Sequence, residues 1–151
     1  MEHLAPLGAV YQAGTLSGNP VAMAAGIATL DVLARGNVYQ RLEKMGADLQ
    51  ARFAASLKKH RIPGTVAREG SILWLCLQEG ETPRARALVK DEGAKTYAVI
   101  HRELLRKGVW MAPSAFEVAF LSTAHKKADL DKVAQSFDAA LTTLVVGGGV
   151  K

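Results

Sequence analysis

Apolar residues recur at intervals of three and four over much of this chain, the spacing of one face of a helix. The longest stripe is Val38, Leu42, Met45, Leu49, Phe53 and Leu57. A later helix is predicted from about Asp91 to Lys107, with Tyr97, Ile100, Leu104 and Leu105 inward and Gly108 at its end. A last one carries Leu130, Val133, Phe137, Leu141 and Leu144. The stretch Val21 to Leu33 differs. It is apolar nearly all round, with Met23, Ile27, Leu30 and Leu33, and so predicts a helix buried on most sides.

Punctuation residues mark the ends of these elements. Pro20 opens the first helix, where its missing N–H is harmless, and Ser17 and Asn19 are both candidate caps. Gly36 ends that helix. Asn37, with Gln40 three residues on, reads as the cap of the next one, and Pro63-Gly64 as its stop. Thr65 to Arg68 and Ile72 to Leu77 predict two strands around Glu69-Gly70-Ser71. The second strand is apolar on both faces, as in a central strand covered on two sides. Gln78 to Arg86 is polar, holds Pro83 and reads as loop, while Val109 to Ala112 and Val118 to Ser122 read as short strands around Pro113-Ser114. The fold class is α/β in the broad, α+β sense: a small mixed or antiparallel sheet with helices against one face. Gly147-Gly148-Gly149 marks a flexible tail over residues 147–151.

With 151 residues, nearly half of them hydrophobic and 22% charged, the chain has the composition of an ordinary globular protein. No apolar run approaches a bilayer span, and Met1-Glu2-His3-Leu4 lacks the start of a signal peptide, so a cytoplasmic location without membrane attachment is expected. Cys76 has no cysteine to pair with and sits in Ile72-Leu73-Trp74-Leu75-Cys76-Leu77, so a buried structural thiol is expected and a cysteine metal site is not. A net charge of +5 raises the question of nucleic acid. The basic residues are mixed with acids, as in Arg41-Leu42-Glu43-Lys44, and their densest clusters fall late in predicted helices, where the helix dipole favours them. No nucleic-acid partner is expected.

One stretch carries candidate chemistry. Gly14-Thr15-Leu16-Ser17-Gly18-Asn19-Pro20 combines glycines, hydroxyls and a helix start. Such a segment can bring backbone N–H groups to a phosphate, or it can be an ordinary capped turn. It matches neither the Walker nor the dinucleotide fingerprint, so the residues alone leave both readings open.

The run Glu2-His3-Leu4-Ala5-Pro6-Leu7-Gly8-Ala9-Val10-Tyr11-Gln12-Ala13 that leads into this segment, together with Gly14 to Pro20, resembles a signature of the glutamate-1-semialdehyde aminomutases, members of the class III aminotransferase group. A second block agrees: Gly108-Val109-Trp110-Met111-Ala112-Pro113-Ser114-Ala115-Phe116-Glu117, continuing to Phe120-Leu121-Ser122-Thr123-Ala124-His125. Ala9 stands where many members have proline, and Trp110 where tyrosine is common. The resemblance implies the C-terminal small domain of a fold-type I enzyme that uses pyridoxal 5'-phosphate. It also implies isomerisation of glutamate 1-semialdehyde to 5-aminolevulinate, a tetrapyrrole precursor. By the same resemblance Thr15 binds the cofactor phosphate with a backbone N–H from Gly14, reaching the active site of a neighbouring subunit in a homodimer. Tyr11 and Gln12 lie beside that site, Glu117 lies near the substrate, and Ser114 to Phe116 position it.

The same family needs a lysine that forms a Schiff base with the cofactor, and in the family it lies upstream of the region resembled here. Lys44, Lys58 and Lys107 fall on helix surfaces by their periodicity, so no catalytic residue is assigned and the chain alone is expected to be inactive. Residues 1–36 are expected to be the end of the large cofactor-binding domain with its connecting helix, and 37–146 the small domain. Without a large domain the first helix would expose apolar surface, and self-association follows. The competing readings are another class III aminotransferase and a non-catalytic interaction module with this fold.

Overall fold

A computed structural model describes residues 1–147, and among these it forms four α-helices and three strands. In chain order they are α1 (Pro20–Arg35), α2 (Val38–His60), β1 (Thr65–Glu69), β2 (Ile72–Cys76), α3 (Gly93–Arg106), β3 (Ala119–Phe120) and α4 (Lys127–Val146). The predicted tail lies outside the described residues apart from Gly147. The chain divides into two units, Met1–Val38 and a second from Tyr39 onward.

In the first unit, residues 1–10 turn back on themselves. Val10 N–H donates to the His3 carbonyl and Ala5 N–H to the Val10 carbonyl, both at 2.9 Å. Asn19 caps α1, its Oδ1 accepting from Val21 N at 3.0 Å and Ala22 N at 3.1 Å. None of the residues of α1 is buried, and Val21, Ile27 and Leu30 are 76%, 60% and 67% exposed. The sequence expectation of a helix buried on most sides is therefore not met. A helix apolar all round needs partners all round, and the described residues supply none that bury it.

The second unit is built on an antiparallel sheet of order β1-β2-β3. Gly70 makes the two-residue turn of the β1–β2 hairpin possible: its φ is +54°, which costs a side-chain-bearing residue energy. Val66 and Leu75 are cross-strand partners and, with Leu73, face the core. Against them pack Leu49, Phe53 and Leu57 of α2, Ile100 and Leu104 of α3, and Phe137, Leu141 and Leu144 of α4. The Phe53 and Phe137 rings stack with centroids 4.1 Å apart. Gly46 lets α2 approach the hairpin: a methyl group there would collide with the Gly70 carbonyl oxygen. This is the predicted small sheet with helices on one face. The other face of β2 carries Ile72, Trp74 and Cys76, and only Cys76 is fully buried, so helices do not cover both sides. Burial pushes the Cys76 thiol pKa up, the state of an inert structural cysteine.

Several local expectations change. Asn37 has φ +49°, a left-handed turn residue, whereas an N-cap takes extended backbone; asparagine tolerates this region. α2 stops at His60, before Pro63-Gly64, in a Schellman arrangement: Ile62 N bonds the Leu57 carbonyl and Arg61 N the Lys58 carbonyl, with Arg61 at φ +55°. Leu105 is exposed, because it falls beyond the stripe of Tyr97, Ile100 and Leu104. Val109 to Ala112 is not a strand, and Val118 to Ser122 shrinks to Ala119–Phe120. A short 3-10 turn, Arg86–Leu88, interrupts the loop after β2. At α4, Asp129 accepts from Lys126 N at 2.7 Å and caps a start where Lys126 and Lys127 oppose the helix dipole. No single helix among the described residues is long and apolar enough to cross a membrane.

Ion pairs tie α2 to α4. Arg52 bonds Asp131 at 2.7 Å, Lys59 bonds Asp138 at 2.7 Å, and His60 Nε2 lies 3.0 Å from Asp138. The Lys59 hydrogen bond, against the cost of burial, holds the Asp138 carboxyl below its ordinary pKa, and Lys127 and then Arg52 do the same for Asp131. A carboxylate depressed in the folded state contributes stability above its unfolded pKa and loses it as pH falls through the folded value. Thermal melts followed by circular dichroism should therefore show a midpoint that falls once pH drops below about 4. Asp138→Asn should flatten that acid limb; an unchanged limb would show the pair to be inert. Size-exclusion chromatography should find self-association through the exposed apolar residues of α1, and a clean monomer at high concentration would exclude it.

Candidate functional site

The residues singled out by sequence fall in both units. Tyr11, Gln12, Gly14 and Thr15 belong to the first and Glu117 to the second.

In the first unit the segment before α1 is a pair of tight turns. Ser17 N donates to the Gly14 carbonyl at 3.0 Å, Asn19 N donates to the Leu16 carbonyl at 3.1 Å, and Gly18 has φ +76°. A side chain at Gly14 would meet the Ser17 hydroxyl 2.7 Å away, so the turn is closely packed at that point. The helix start itself is not open to an anion. Pro20 has no N–H, Val21 and Ala22 are taken by the Asn19 side chain, and Met23 N bonds the Asn19 carbonyl. What stays available lies upstream: among the described residues the Thr15 N–H and hydroxyl have no protein partner, and Thr15 is exposed, as are Tyr11, Gln12 and Gly14. A phosphate can therefore be met by the Gly14–Thr15 backbone and the Thr15 hydroxyl, not by the helix terminus.

In the second unit Glu117 closes a turn, its N–H donating to the Ser114 carbonyl at 3.3 Å, while Phe116 N bonds Ser114 Oγ at 3.2 Å. The Arg86 guanidinium lies 5.6 Å from the centre of the Phe116 ring. Glu117 is exposed and lines a cavity of about 100 Å3, together with Phe53, Tyr97, Met111, His125 and Leu130. His125 Nδ1 accepts from Ser122 N at 3.0 Å, which leaves the ring proton on Nε2. Tyr97 has its pKa raised first by burial and then by the Glu117 charge. The site thus joins an apolar cavity to two carboxylates that form no salt bridge among the described residues, Glu117 and the Asp129 that caps α4.

Sequence periodicity assigned Tyr97 to the core and Trp74 to a buried strand, and gave no signal for His101. All three also bond the segment that leads to Glu117: His101 Nε2 to the Met111 carbonyl at 3.2 Å, Tyr97 Oη to that of Ala112 at 2.6 Å, and Trp74 Nε1 to that of Ala115 at 2.9 Å. The polar ends of Tyr97 and Trp74 were the available signal, since such groups find partners when buried.

The Aminotransferase class-III family model matches residues 1–141. The chain belongs to the class-III aminotransferase family. It is 43% identical over 145 residues to glutamate-1-semialdehyde 2,1-aminomutase 1 of Staphylococcus aureus, covering 96% of this chain and 33% of that relative. Among solved structures it is similar to a glutamate-1-semialdehyde aminomutase of Pseudomonas aeruginosa PAO1 in complex with PMP, with TM-score 0.75 and 25% identity, over 92% of this chain and 32% of that one. It is as similar to an omega-transaminase of Sphaerobacter thermophilus, with TM-score 0.74 and 25% identity, over 88% and 30% of the two chains. This class-III chain spans about a third of the length of the curated relatives it matches.

The charge of Glu117 disfavours the tyrosinate form of Tyr97. Glu117→Gln should lower the Tyr97 pKa, read from tyrosinate ultraviolet absorbance during alkaline titration. An unshifted curve would mean that the two groups are electrostatically independent.

Proposed function

We propose that this chain is the C-terminal part of a glutamate-1-semialdehyde 2,1-aminomutase, which isomerises glutamate 1-semialdehyde to 5-aminolevulinate for tetrapyrrole synthesis. The 43% identity across 96% of the chain carries this reading. In it, residues 1–36 end the large cofactor-binding domain and 37–146 are the small domain.

The cofactor of the assembled enzyme is pyridoxal 5'-phosphate, which supplies the electron sink of the reaction. The residues present fit its phosphate at one place: the unengaged Thr15 N–H and hydroxyl beside Gly14, in the segment that the Asn19 cap separates from α1. Thr15 holds that phosphate by neutral donors, with Tyr11 and Gln12 alongside, and in a homodimer the contact is made to the neighbouring subunit's site. Glu117 sets a carboxylate toward the substrate, where a negative charge attracts an ammonium group and can accept its proton.

The lysine that bonds the cofactor is supplied from outside these 151 residues. Every lysine among the described residues is exposed, including Lys44, Lys58 and Lys107. A lysine activated for this chemistry sits instead in a desolvated pocket or beside another cation. In this reading the chain by itself is inactive.

Transaminase relatives with the same fold keep a second reading in view, and the product separates them. Joined to a polypeptide equivalent to the other two thirds of its relatives, the chain should form 5-aminolevulinate from glutamate 1-semialdehyde without a second amino acid. Thr15→Val should weaken the joined protein's cofactor affinity about tenfold or more, since hydrogen bonds to charged groups are worth about 1.5–3 kcal/mol. The chain alone, treated with low pyridoxal phosphate and borohydride, should show no saturable label on mass analysis. One lysine labelled to completion would overturn its inactivity, and transamination without 5-aminolevulinate would favour the transaminase reading.

A further inference from the structure

The segment from Met111 to Val118 carries the candidate carboxylate, yet it belongs to no helix or strand. Its own backbone supplies one hydrogen bond, Glu117 N to the Ser114 carbonyl, and Pro113 contributes no N–H. A segment held so weakly would sample many conformations, at a backbone entropy of about 1–2 kcal/mol per residue. What holds it is a set of side chains on regular elements. Tyr97 and His101 lie one turn apart on α3, with their rings roughly parallel and centroids 6.2 Å apart. They bond the successive carbonyls of Ala112 and Met111. A carbonyl only accepts, so His101 presents Nε2–H. From the sheet side, Trp74 at the centre of β2 takes the Ala115 carbonyl.

These three anchors differ in stiffness. Tyr97 is 4% exposed, makes the shortest of the three bonds and stands on the same helix face as Ile100 and Leu104, which are fixed in the core. Burial, and then the Glu117 charge, disfavour tyrosinate, so its hydroxyl is held in the donor form. His101 and Trp74 are only partly buried and fix the two flanks of the same carbonyl row.

We propose that Tyr97 is a positioning residue: its hydroxyl, flanked by His101 and Trp74, clamps the Met111–Ala115 backbone and so fixes where Glu117 stands. The role in catalysis rests on the function proposed for Glu117, whereas the clamp itself rests on geometry alone. The proposal has two separable readouts. In the full 151-residue chain, Tyr97→Phe keeps the ring in its core position and removes only the donor. Backbone amide order parameters over residues 111–118 should fall from a rigid value near about 0.85 to below about 0.6, with α2 and α4 unchanged. Ile100→Val, a mild core truncation on the same helix, should leave the segment rigid, and Trp74→Phe should loosen it around Ala115. A segment equally rigid in Tyr97→Phe, or equally loosened by Ile100→Val, would overturn the clamp.

In the joined enzyme Tyr97→Phe should lower kcat about ten- to a hundredfold with KM within about twofold, the signature of a misplaced group. Ile100→Val should leave both within about twofold of wild type. An unchanged kcat for Tyr97→Phe, in an enzyme that Glu117→Gln does impair, would overturn the positioning role. If Glu117→Gln were silent, the reading of Glu117 would fall, while the order parameters would still decide the clamp.

Discussion

The second unit depends on burying one face of a three-stranded sheet beneath α2, α3 and α4. Its centre is the Phe53–Phe137 stack, two rings at 4.1 Å that are 2% and 0% exposed. Aromatic pairs of this kind contribute about 0.5–1.5 kcal/mol beyond the area they bury. Their larger effect is geometric. The stack joins α2 to α4 in the middle of the core, and the ion pairs Arg52–Asp131 and Lys59–Asp138 only trim the outer edges of the same contact. Surface pairs of that kind contribute about 0–1 kcal/mol, so the rings and their aliphatic neighbours decide the packing.

From that base the candidate site follows by hydrogen-bond accounting. A buried or half-buried carbonyl without a partner costs about 1–3 kcal/mol. The segment from Met111 to Ala115 has no strand beside it to satisfy its carbonyls, so it takes donors from side chains whose backbones the core already fixes. Three such bonds hold the segment in place without a ladder. The carboxylate of Glu117 thus stands on an irregular turn with a rigid foundation. Such a combination suits a group that must reach a ligand while keeping its position.

Much of the secondary structure was legible in the sequence because its signals were periodic or local. The stripe Leu49, Phe53, Leu57 is the buried face of α2, and the Gly70 hairpin lies where the glycine put it. Asn19 caps α1, as one of two candidates. Among the features that were not legible, three differ in cause. Val109 to Ala112 has strand composition, but Pro113 and the side-chain bonds to its carbonyls leave it no ladder. Asn37 was read as a cap from its residue type, whereas its left-handed backbone is set by the turn between two helices. The exposure of α1 is not a local property at all. Apolar composition states how much surface a helix needs covered, and only the surrounding chain determines whether it is covered.

The two candidate sites, one in each unit, were unequally legible for a related reason. Around Thr15 the candidate donors are the Thr15 hydroxyl and backbone N–H groups, which every residue type but proline has. The glycines suggested an anion, but only the hydrogen bonds of Asn19 show that the helix start is spoken for and that the opening lies at Thr15. Around Glu117 the chemistry is carried by side chains with two natures. Tyrosine at a core position fits the apolar stripe of α3 through its ring, so periodicity accounts for Tyr97 completely and conceals the hydroxyl. The hydroxyl then needs an acceptor, and Met111 to Ala115 needs donors. Each is an unsolved term when read singly, and the 2.6 Å bond from Tyr97 to the Ala112 carbonyl resolves both together. A polar atom at the end of an apolar stripe is thus a pointer to an irregular segment packed across from it.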